Sequence, residues 1–184
     1  MDEGGLVAQA QRGDRDAFRR LVEAYAPLVG RTTRALLADR GEAEDAEQEA
    51  WVDVWRGLPR FEMGRPFRPW LLAVVSNRCH MKARRRSVAV VPYDDEAMER
   101  EQATREEPGQ EIDGGLHEAL AQLDEDQRRV LALRFYADLQ LDEIAEVLGV
   151  PLGTVKSRLH RGLGTLRGLL SAHGEAQALS ESKE

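Results

Sequence analysis

Residues 141–161 read LDEIAEVLGVPLGTVKSRLHR, and they decide the architecture of the C-terminal part of the chain. Ala145 is small enough to let two helices cross closely, and Gly149 can take the left-handed conformation of a tight turn. Val155 follows at the position where an aliphatic side chain fills the angle between two helices. The spacing of these three residues predicts a helix-turn-helix.

The second helix of this motif is basic, although the protein is acidic. The chain has 33 acidic and 26 basic side chains, a formal charge of −7, yet residues 151–174 contain no acidic residue. Offsets of three and four place several side chains on the face opposite Val155. These are Lys156, Ser157, His160, Arg161 and Gly164. A merely solvated helix would carry glutamates as well, so the pattern predicts contacts with phosphates and base edges in a DNA major groove.

The composition favours an all-α protein. Of its 184 residues, 42% are hydrophobic, 32% are charged and only 5% are aromatic, and no stretch alternates with a period of two. We therefore expect no strands, and helices around one modest core or two small ones. The N-terminus lacks a signal peptide, and the longest apolar run, 70–75, is far shorter than the ~20 residues that span a bilayer. We expect a cytoplasmic protein without membrane insertion.

An acidic segment divides the sequence. Residues 87–115 contain nine acidic and two basic side chains together with several prolines and glycines, a composition typical of a flexible tether. We predict two small helical domains with these bounds: an N-terminal domain 1–86, an acidic linker 87–115, a helix-turn-helix domain 116–172 and a polar tail 173–184.

Helical periodicity also runs through the N-terminal domain. Apolar residues from Phe18 to Leu36 fall on one face of a helix that Pro27 would kink or divide. Further helices are predicted over 42–56 and 66–86, with a loop at 57–65 between them. After the linker, a helix begins at Leu116, and Asp124 starts another that continues through Phe135.

A second basic cluster closes the helix predicted over 66–86. Its members are Arg78, Lys82, Arg84, Arg85 and Arg86. Interaction with the helix dipole accounts for one or two cations at a C-terminus, so five indicate a polyanionic partner. Nearby aromatic residues could stack on unpaired bases or form the core, and for Trp51 and Trp55 the core is favoured.

The sequence offers little for catalysis. It has four scattered histidines, a single cysteine, no glycine-rich phosphate loop and no spaced set of metal ligands. Cys79 and His80 are adjacent on a helix, which separates their side chains by about 100° and makes a poor chelate. We expect no enzyme activity, no cofactor and no metal, and we interpret Cys79 as a small buried hydrophobic residue rather than a redox sensor.

Three ordered motifs carry a resemblance to a known family. They are EAEDAEQEAWVDVWR at 42–56, RPFRPWLLAVVSNR at 65–78 and the helix-turn-helix at 141–161. Together they resemble the bacterial extracytoplasmic-function (ECF) sigma factors of the sigma-70 family. The resemblance implies two helical domains, called sigma2 and sigma4. It also implies a protein that binds core RNA polymerase and directs promoter-specific initiation by recognising the −35 and −10 elements.

The same resemblance implies three sets of site residues. Those facing the polymerase clamp helices would be Glu44, Asp45, Gln48 and Glu49. Those handling the opened −10 element would be Phe61, Asn77, Arg78, Lys82, Arg84 and Arg85. Those reading the −35 duplex would be Thr154, Lys156, Ser157, Arg158, His160 and Arg161. The implied partners are the clamp helices and flap of core polymerase, promoter DNA and an anti-sigma factor.

Two other functions remain open at this point. A stand-alone helix-turn-helix repressor or activator would share the C-terminal motif but would not explain the N-terminal half. A sigma mimic that only sequesters an anti-sigma factor would bind that regulator without supporting transcription.

Overall fold

The computed structural model describes residues 2–89 and 114–181, with side-chain surroundings given for 2–85 and 116–171, and all of its regular structure is helical. The N-terminal half contains α1 (Glu3–Gln11), α2 (Arg15–Leu36), α3 (Arg40–Gly57), a 3₁₀ turn (Leu58–Arg60) and α4 (Phe67–Ala89). The C-terminal half contains α5 (Gly114–Ala121), α6 (Glu125–Leu131), a π-helical turn (Ala132–Tyr136), α7 (Leu141–Leu148) and α8 (Leu152–Glu181). The predicted all-α class is confirmed. The acidic linker predicted at 87–115 lies mostly outside the described residues.

Pro27 does not divide α2, which continues to Leu36. A proline inside a helix removes the hydrogen bond to the carbonyl four residues earlier, here that of Glu23. Both residues are exposed, so water can replace the missing donor. The expected kink or division is therefore not needed to satisfy the backbone.

The helix predicted from Asp124 through Phe135 changes character before its end. The α-helix stops at Leu131, and a wider turn follows in which the N–H of Ala137 donates to the carbonyl of Ala132. This turn keeps Leu133 fully buried while Phe135 is 60% exposed. The apolar pattern predicted the helix correctly but not the widening, which turns one aromatic ring outward.

Helix α3 packs closely because its buried stripe is made of small residues. Ala43, Ala46, Ala50 and Val54 recur at spacings of three and four and are essentially inaccessible. Glu47 lies within this stripe and is half-buried, and its burial raises the pKa of its carboxyl. An alanine face lets the backbones of α2 and α4 approach α3, which fixes its charged side chains at a short distance from α4.

Helix α4 is buried on two sides. Leu71, Val75 and Cys79 belong to the core formed with α1, α2 and α3. Leu72 is also inaccessible, but it lies in a second core with residues of the C-terminal half, including Leu133. Successive helical residues point about 100° apart, so one helix can contribute to both cores.

The two halves therefore contact one another directly. Besides the core around Leu72, Arg31 Nε donates to the Tyr136 carbonyl at 2.7 Å, and Arg68 donates to the Ala137 carbonyl. Both guanidinium groups satisfy carbonyls that the π-helical turn leaves without helical partners. The N-terminal half thus stabilises the entry to the helix-turn-helix.

Cys79 behaves as the sequence predicts for a buried small hydrophobic residue. It is 3% exposed, and burial raises the pKa of its thiol to about 12. The thiol therefore remains protonated at neutral pH and is a weak nucleophile there.

Candidate nucleic-acid and protein interfaces

The turn between α7 and α8 has the geometry that the sequence predicted. Gly149 adopts φ 64° and ψ 34°, and the Val150 N–H donates to the Ala145 carbonyl at 3.1 Å. Val155 is fully buried in the same core as Ile144. A left-handed residue at this position lets the chain reverse within three residues and brings α8 across α7.

The start of α7 is held by its own third residue. The Glu143 carboxylate accepts a hydrogen bond from the Gln140 N–H at 2.8 Å, one half of a capping box. This carboxylate also lies near the positive end of the helix dipole. The first helix of the motif is thus fixed although a glutamine occupies its N-cap position.

Over residues 152–171, the part of α8 whose side chains the structure describes, the outer face is polar and exposed and carries no acidic side chain. Lys156, Ser157, His160 and Arg161 are all exposed, while Thr154 is half-buried. The Arg161 Nε donates to the Ser157 carbonyl at 3.3 Å, which steers its guanidinium along this face. Such a row of donors matches phosphates and guanine edges in a major groove.

Arg158 differs from the other cations of α8. Its side chain is only 20% exposed and pairs with Asp126 of α6. Nearby, a Cβ on Gly162 would come within 3.2 Å of Gln127 and 3.1 Å of Leu131, so this glycine lets α8 approach α6 closely. Arg158 therefore joins the two helices in addition to its place in the predicted −35 set.

The predicted polymerase-binding residues lie on the solvent side of α3. Glu44, Asp45, Gln48 and Glu49 are all exposed, and Glu44 pairs with Arg40 on its own helix at 3.0 Å. Exposed i,i+4 pairs of this kind contribute little stability, so Glu44 is available to a partner at small cost. Val52 is 47% exposed one turn further on, an apolar group on this surface that was not predicted from the sequence.

The residues predicted for the −10 element have three kinds of surroundings: some are exposed on α4, some are paired with α3, and one is buried. Asn77, Arg84 and Arg85 are exposed on α4. Arg78 and Lys82 are each 18% exposed and pair with carboxylates of α3. The structure thus brings five of the six residues onto one helix but gives them different surroundings.

Phe61 lies apart from that helix and is buried. It is 7% exposed, with its ring centroid 5.7 Å from Phe67 and 5.0 Å from Trp70. The Gln11 side chain donates to its carbonyl at 2.6 Å and fixes the loop from the other side. In this arrangement the Phe61 ring contributes to the aromatic core and not to a surface for bases.

Helix α6 contacts residues of α4 that were predicted for the −10 element. Two nitrogens of Arg129 donate to the buried Ser76 hydroxyl at 3.1 and 3.2 Å, and one lies 3.5 Å from Asn77 Oδ1. Burial lowers the pKa of this guanidinium, which nonetheless stays charged, as arginine does in proteins. Glu125, one turn earlier, contacts His80.

The partners of the predicted residues were not predicted from the sequence. Arg129 and Glu125 could not be assigned without knowing that the halves pack together. Asp53, which pairs with Arg78, did leave a signal. Asp45, Glu49 and Asp53 recur every fourth residue on one helix, and Arg78 and Lys82 do so on another, which indicates two facing stripes of opposite charge.

Some kinds of site find no support among the residues that the structure describes. Over 2–89 and 114–181, no cluster of three potential ligands could hold a metal ion. Within the same ranges, no helix is long and apolar enough to cross a membrane.

Comparison with known families gives two matches, one in each half. Residues 21–88 match the family model described as Sigma-70 region 2, and residues 119–168 match the one described as Sigma-70, region 4. The first contains α3 and all but the last residue of α4, and the second contains the helix-turn-helix.

Curated proteins of similar sequence align over nearly the whole chain. The RNA polymerase sigma-H factor of Pseudomonas aeruginosa is 34% identical over 85% of this chain and 87% of its own length. The ECF RNA polymerase sigma factor SigL of Mycobacterium tuberculosis is 33% identical over 88% of this chain and 93% of its own length. The ECF RNA polymerase sigma factor SigW of Bacillus subtilis is 28% identical over 88% of this chain and 92% of its own length.

Two solved structures share the fold. CnrH in complex with the cytosolic domain of CnrY aligns with a TM-score of 0.68 and 26% identity, covering 92% of this chain and 97% of that one. The sigma factor RpoE of Bartonella quintana, in complex with the anti-sigma factor NepR, aligns with a TM-score of 0.69 and 25% identity. The alignment covers 84% of this chain and 96% of that one.

The turn geometry predicts a specific effect of replacing Gly149. Because a Cβ there would meet nothing within 4 Å, Gly149→Ala adds only the cost of a left-handed residue, about 1–2 kcal/mol of the free energy of unfolding. Gly153→Ala is the matched control, since its Cβ also meets nothing but its backbone is helical. Urea denaturation should show a lower free energy of unfolding for Gly149→Ala and no decrease for Gly153→Ala. Equal decreases for the two variants would contradict the assigned role of the turn.

Proposed function

The chain belongs to the sigma-70 family of RNA polymerase sigma factors, in its ECF group, and on that premise we propose how its surfaces divide the work. It directs promoter-specific transcription initiation. In our proposal α3 binds the polymerase clamp helices through Asp45, Gln48 and their exposed neighbours. The end of α4 holds the opened −10 strand, and the outer face of α8 reads the −35 duplex.

One observation supports this division above the others: exposed cations occur on two helices, α4 and α8, which belong to different halves of the chain. Arg84 and Arg85 are exposed near the end of α4, whereas Lys156 and Arg161 are exposed on α8. A helix-turn-helix regulator needs only the second surface. A protein that must hold a duplex and a separated strand at two elements needs both.

The proposal requires the two halves to separate. The −35 and −10 elements are roughly 25 base pairs apart, or about 85 Å at ~3.4 Å per base pair. In the structure Asn77 contacts Arg129, and Arg158 contacts Asp126 one turn earlier on the same helix, so the two readers lie only a few side chains apart. A connection of 24 residues, the length of 90–113, reaches at most roughly 80 Å, which is comparable to the distance between the two elements.

The partners and location follow from this role. Core polymerase and chromosomal DNA place the protein in the cytoplasm, where it acts without catalysing a reaction of its own. The two structural relatives were solved with CnrY and with the anti-sigma factor NepR. We propose that this chain also binds an anti-sigma factor.

Complex formation with core polymerase tests the function directly. We expect gel filtration of an equimolar mixture to yield a one-to-one complex, and this complex to give discrete run-off transcripts from a genomic fragment library. A stand-alone regulator would bind duplex DNA but would not elute with polymerase. A sigma mimic would bind an anti-sigma factor but would support no transcripts.

The −35 assignment makes a prediction for Arg161. If its guanidinium makes a bidentate contact with a base, Arg161→Ala in the holoenzyme weakens binding to the −35 duplex by about 1–3 kcal/mol. Arg167→Ala, an exposed cation further along α8, serves as the control and should change little. Equal losses on the promoter and on a scrambled duplex would show a phosphate contact in place of base reading.

A further inference from the structure

The two half-buried cations of α4 are engaged by α3 more completely than a free DNA contact allows. All three nitrogens of the Arg78 guanidinium are held by carboxylates: Nε donates to Asp53 Oδ2 at 2.8 Å, Nη2 pairs with the same oxygen, and Nη1 lies 3.1 Å from Glu49 Oε2. The hydrogen bond to Asp53 raises the pKa of Arg78. A base or phosphate could reach this group only by replacing those carboxylates.

Lys82 is held in the same way one turn further along α4. Its Nζ lies 3.2 Å from Asp45 Oδ2 and 3.6 Å from Glu49 Oε1, and it is shut off from solvent. The two contacts are ion pairs rather than well-aligned hydrogen bonds, so the charges hold the ammonium in place. Moving it to a DNA phosphate would break both pairs.

Glu49 connects the two cations. One of its oxygens faces Lys82 and the other faces Arg78, so both are directed at α4. Asp45 is different: its Oδ1 takes no part in these pairs and its side chain is 69% exposed. Asp45 is therefore held through one oxygen while its side chain stays largely exposed, whereas both oxygens of Glu49 are occupied by cations of α4.

From this geometry we propose that Arg78 and Lys82 are positioning residues for the polymerase-binding face and do not read the −10 element. They hold Asp45 in the orientation that core polymerase binds, with Glu49 as the bridge, and −10 contacts fall to Asn77, Arg84 and Arg85. A carboxylate that is ordered before binding loses less side-chain entropy in the complex, which favours affinity. The inference rests on the proposed function and changes the role of two residues within it.

Simple electrostatics and positioning predict opposite results for Lys82→Met. Removing a positive charge from an acidic surface would strengthen its attraction to a basic partner. Loss of positioning weakens binding instead. We expect the affinity of Lys82→Met for core RNA polymerase to fall about threefold to tenfold, the size expected when one side chain must be ordered on binding. Lys82→Arg retains the positive charge and should recover most of the lost affinity for core RNA polymerase.

The DNA readout separates positioning from reading. The probe is the single-stranded non-template −10 strand of a promoter identified by run-off transcription, bound to holoenzyme at several salt concentrations. Loss of a phosphate contact lowers the slope of log affinity against log salt by about 0.7 on single-stranded DNA. Arg84→Met should show this decrease and Lys82→Met should not. Arg20→Met, an exposed cation on α2, should alter neither measurement.

A double-mutant cycle tests whether Lys82 acts through Asp45. Lys82→Met should cause no further loss of polymerase affinity in an Asp45→Asn background, because the orientation it maintains no longer matters there. Additive losses would overturn the proposal, as would unchanged or tighter binding by Lys82→Met or a decrease in its salt slope.

Two further measurements distinguish a folding defect from a specific loss of polymerase binding. If thermal unfolding shows that Lys82→Met is not folded, Arg78→Lys decides instead, since it keeps the charge but loses the two-carboxylate geometry. It should then weaken polymerase binding without altering the salt slope, and unchanged polymerase binding would overturn the proposal. If the wild-type chain itself does not bind core polymerase, the proposed function has failed; if it binds and the variants bind equally well, only this inference has failed.

Discussion

Helix α4 must satisfy three sets of neighbours at once, and the rest of the structure follows from how it does so. Leu71 and Val75 complete the core with α2 and α3, while Leu72 completes a second core with the C-terminal half. Its remaining face carries Arg78 and Lys82 against the carboxylates of α3. Between these contacts α4 leaves Asn77, Met81, Arg84 and Arg85 exposed.

This arrangement connects the three proposed binding surfaces physically. Cations from α4 hold the α3 face that we propose binds polymerase, and Arg129 of α6 contacts Asn77, a proposed −10 residue. Helix α6 in turn holds Arg158 of α8 through Asp126. A partner that moves α4 away from α6 therefore changes the surroundings of residues in both halves.

Local sequence patterns were sufficient to predict the helix-turn-helix and most of the helices. Ala145, Gly149 and Val155 each have a role set by residues within ten positions, so spacing alone identifies them, and Gly149 indeed has a positive φ. The basic face of α8 could be predicted for the same reason. On α8, helical spacing alone determines which charged side chains share a face.

Long-range packing could not be predicted in this way. Leu71 and Leu72 are equivalent in a sequence, yet they enter different cores. Phe61 lies in a loop that composition marks as exposed, and only the position of Phe67 and Trp70 explains its burial. The pairing of Arg78 with Asp53 depends on two helices that meet because α3 has an alanine face.

In our proposal the two halves pack together in the free protein and separate in the initiating complex. A distance between spin labels on α2 and α8 tests it most directly, with Glu23→Cys and Arg167→Cys as exposed attachment sites in a Cys79→Ser background. We predict a single short distance in the free protein and a longer one, by tens of ångströms, in promoter-bound holoenzyme. An unchanged distance in a holoenzyme that transcribes would contradict the account.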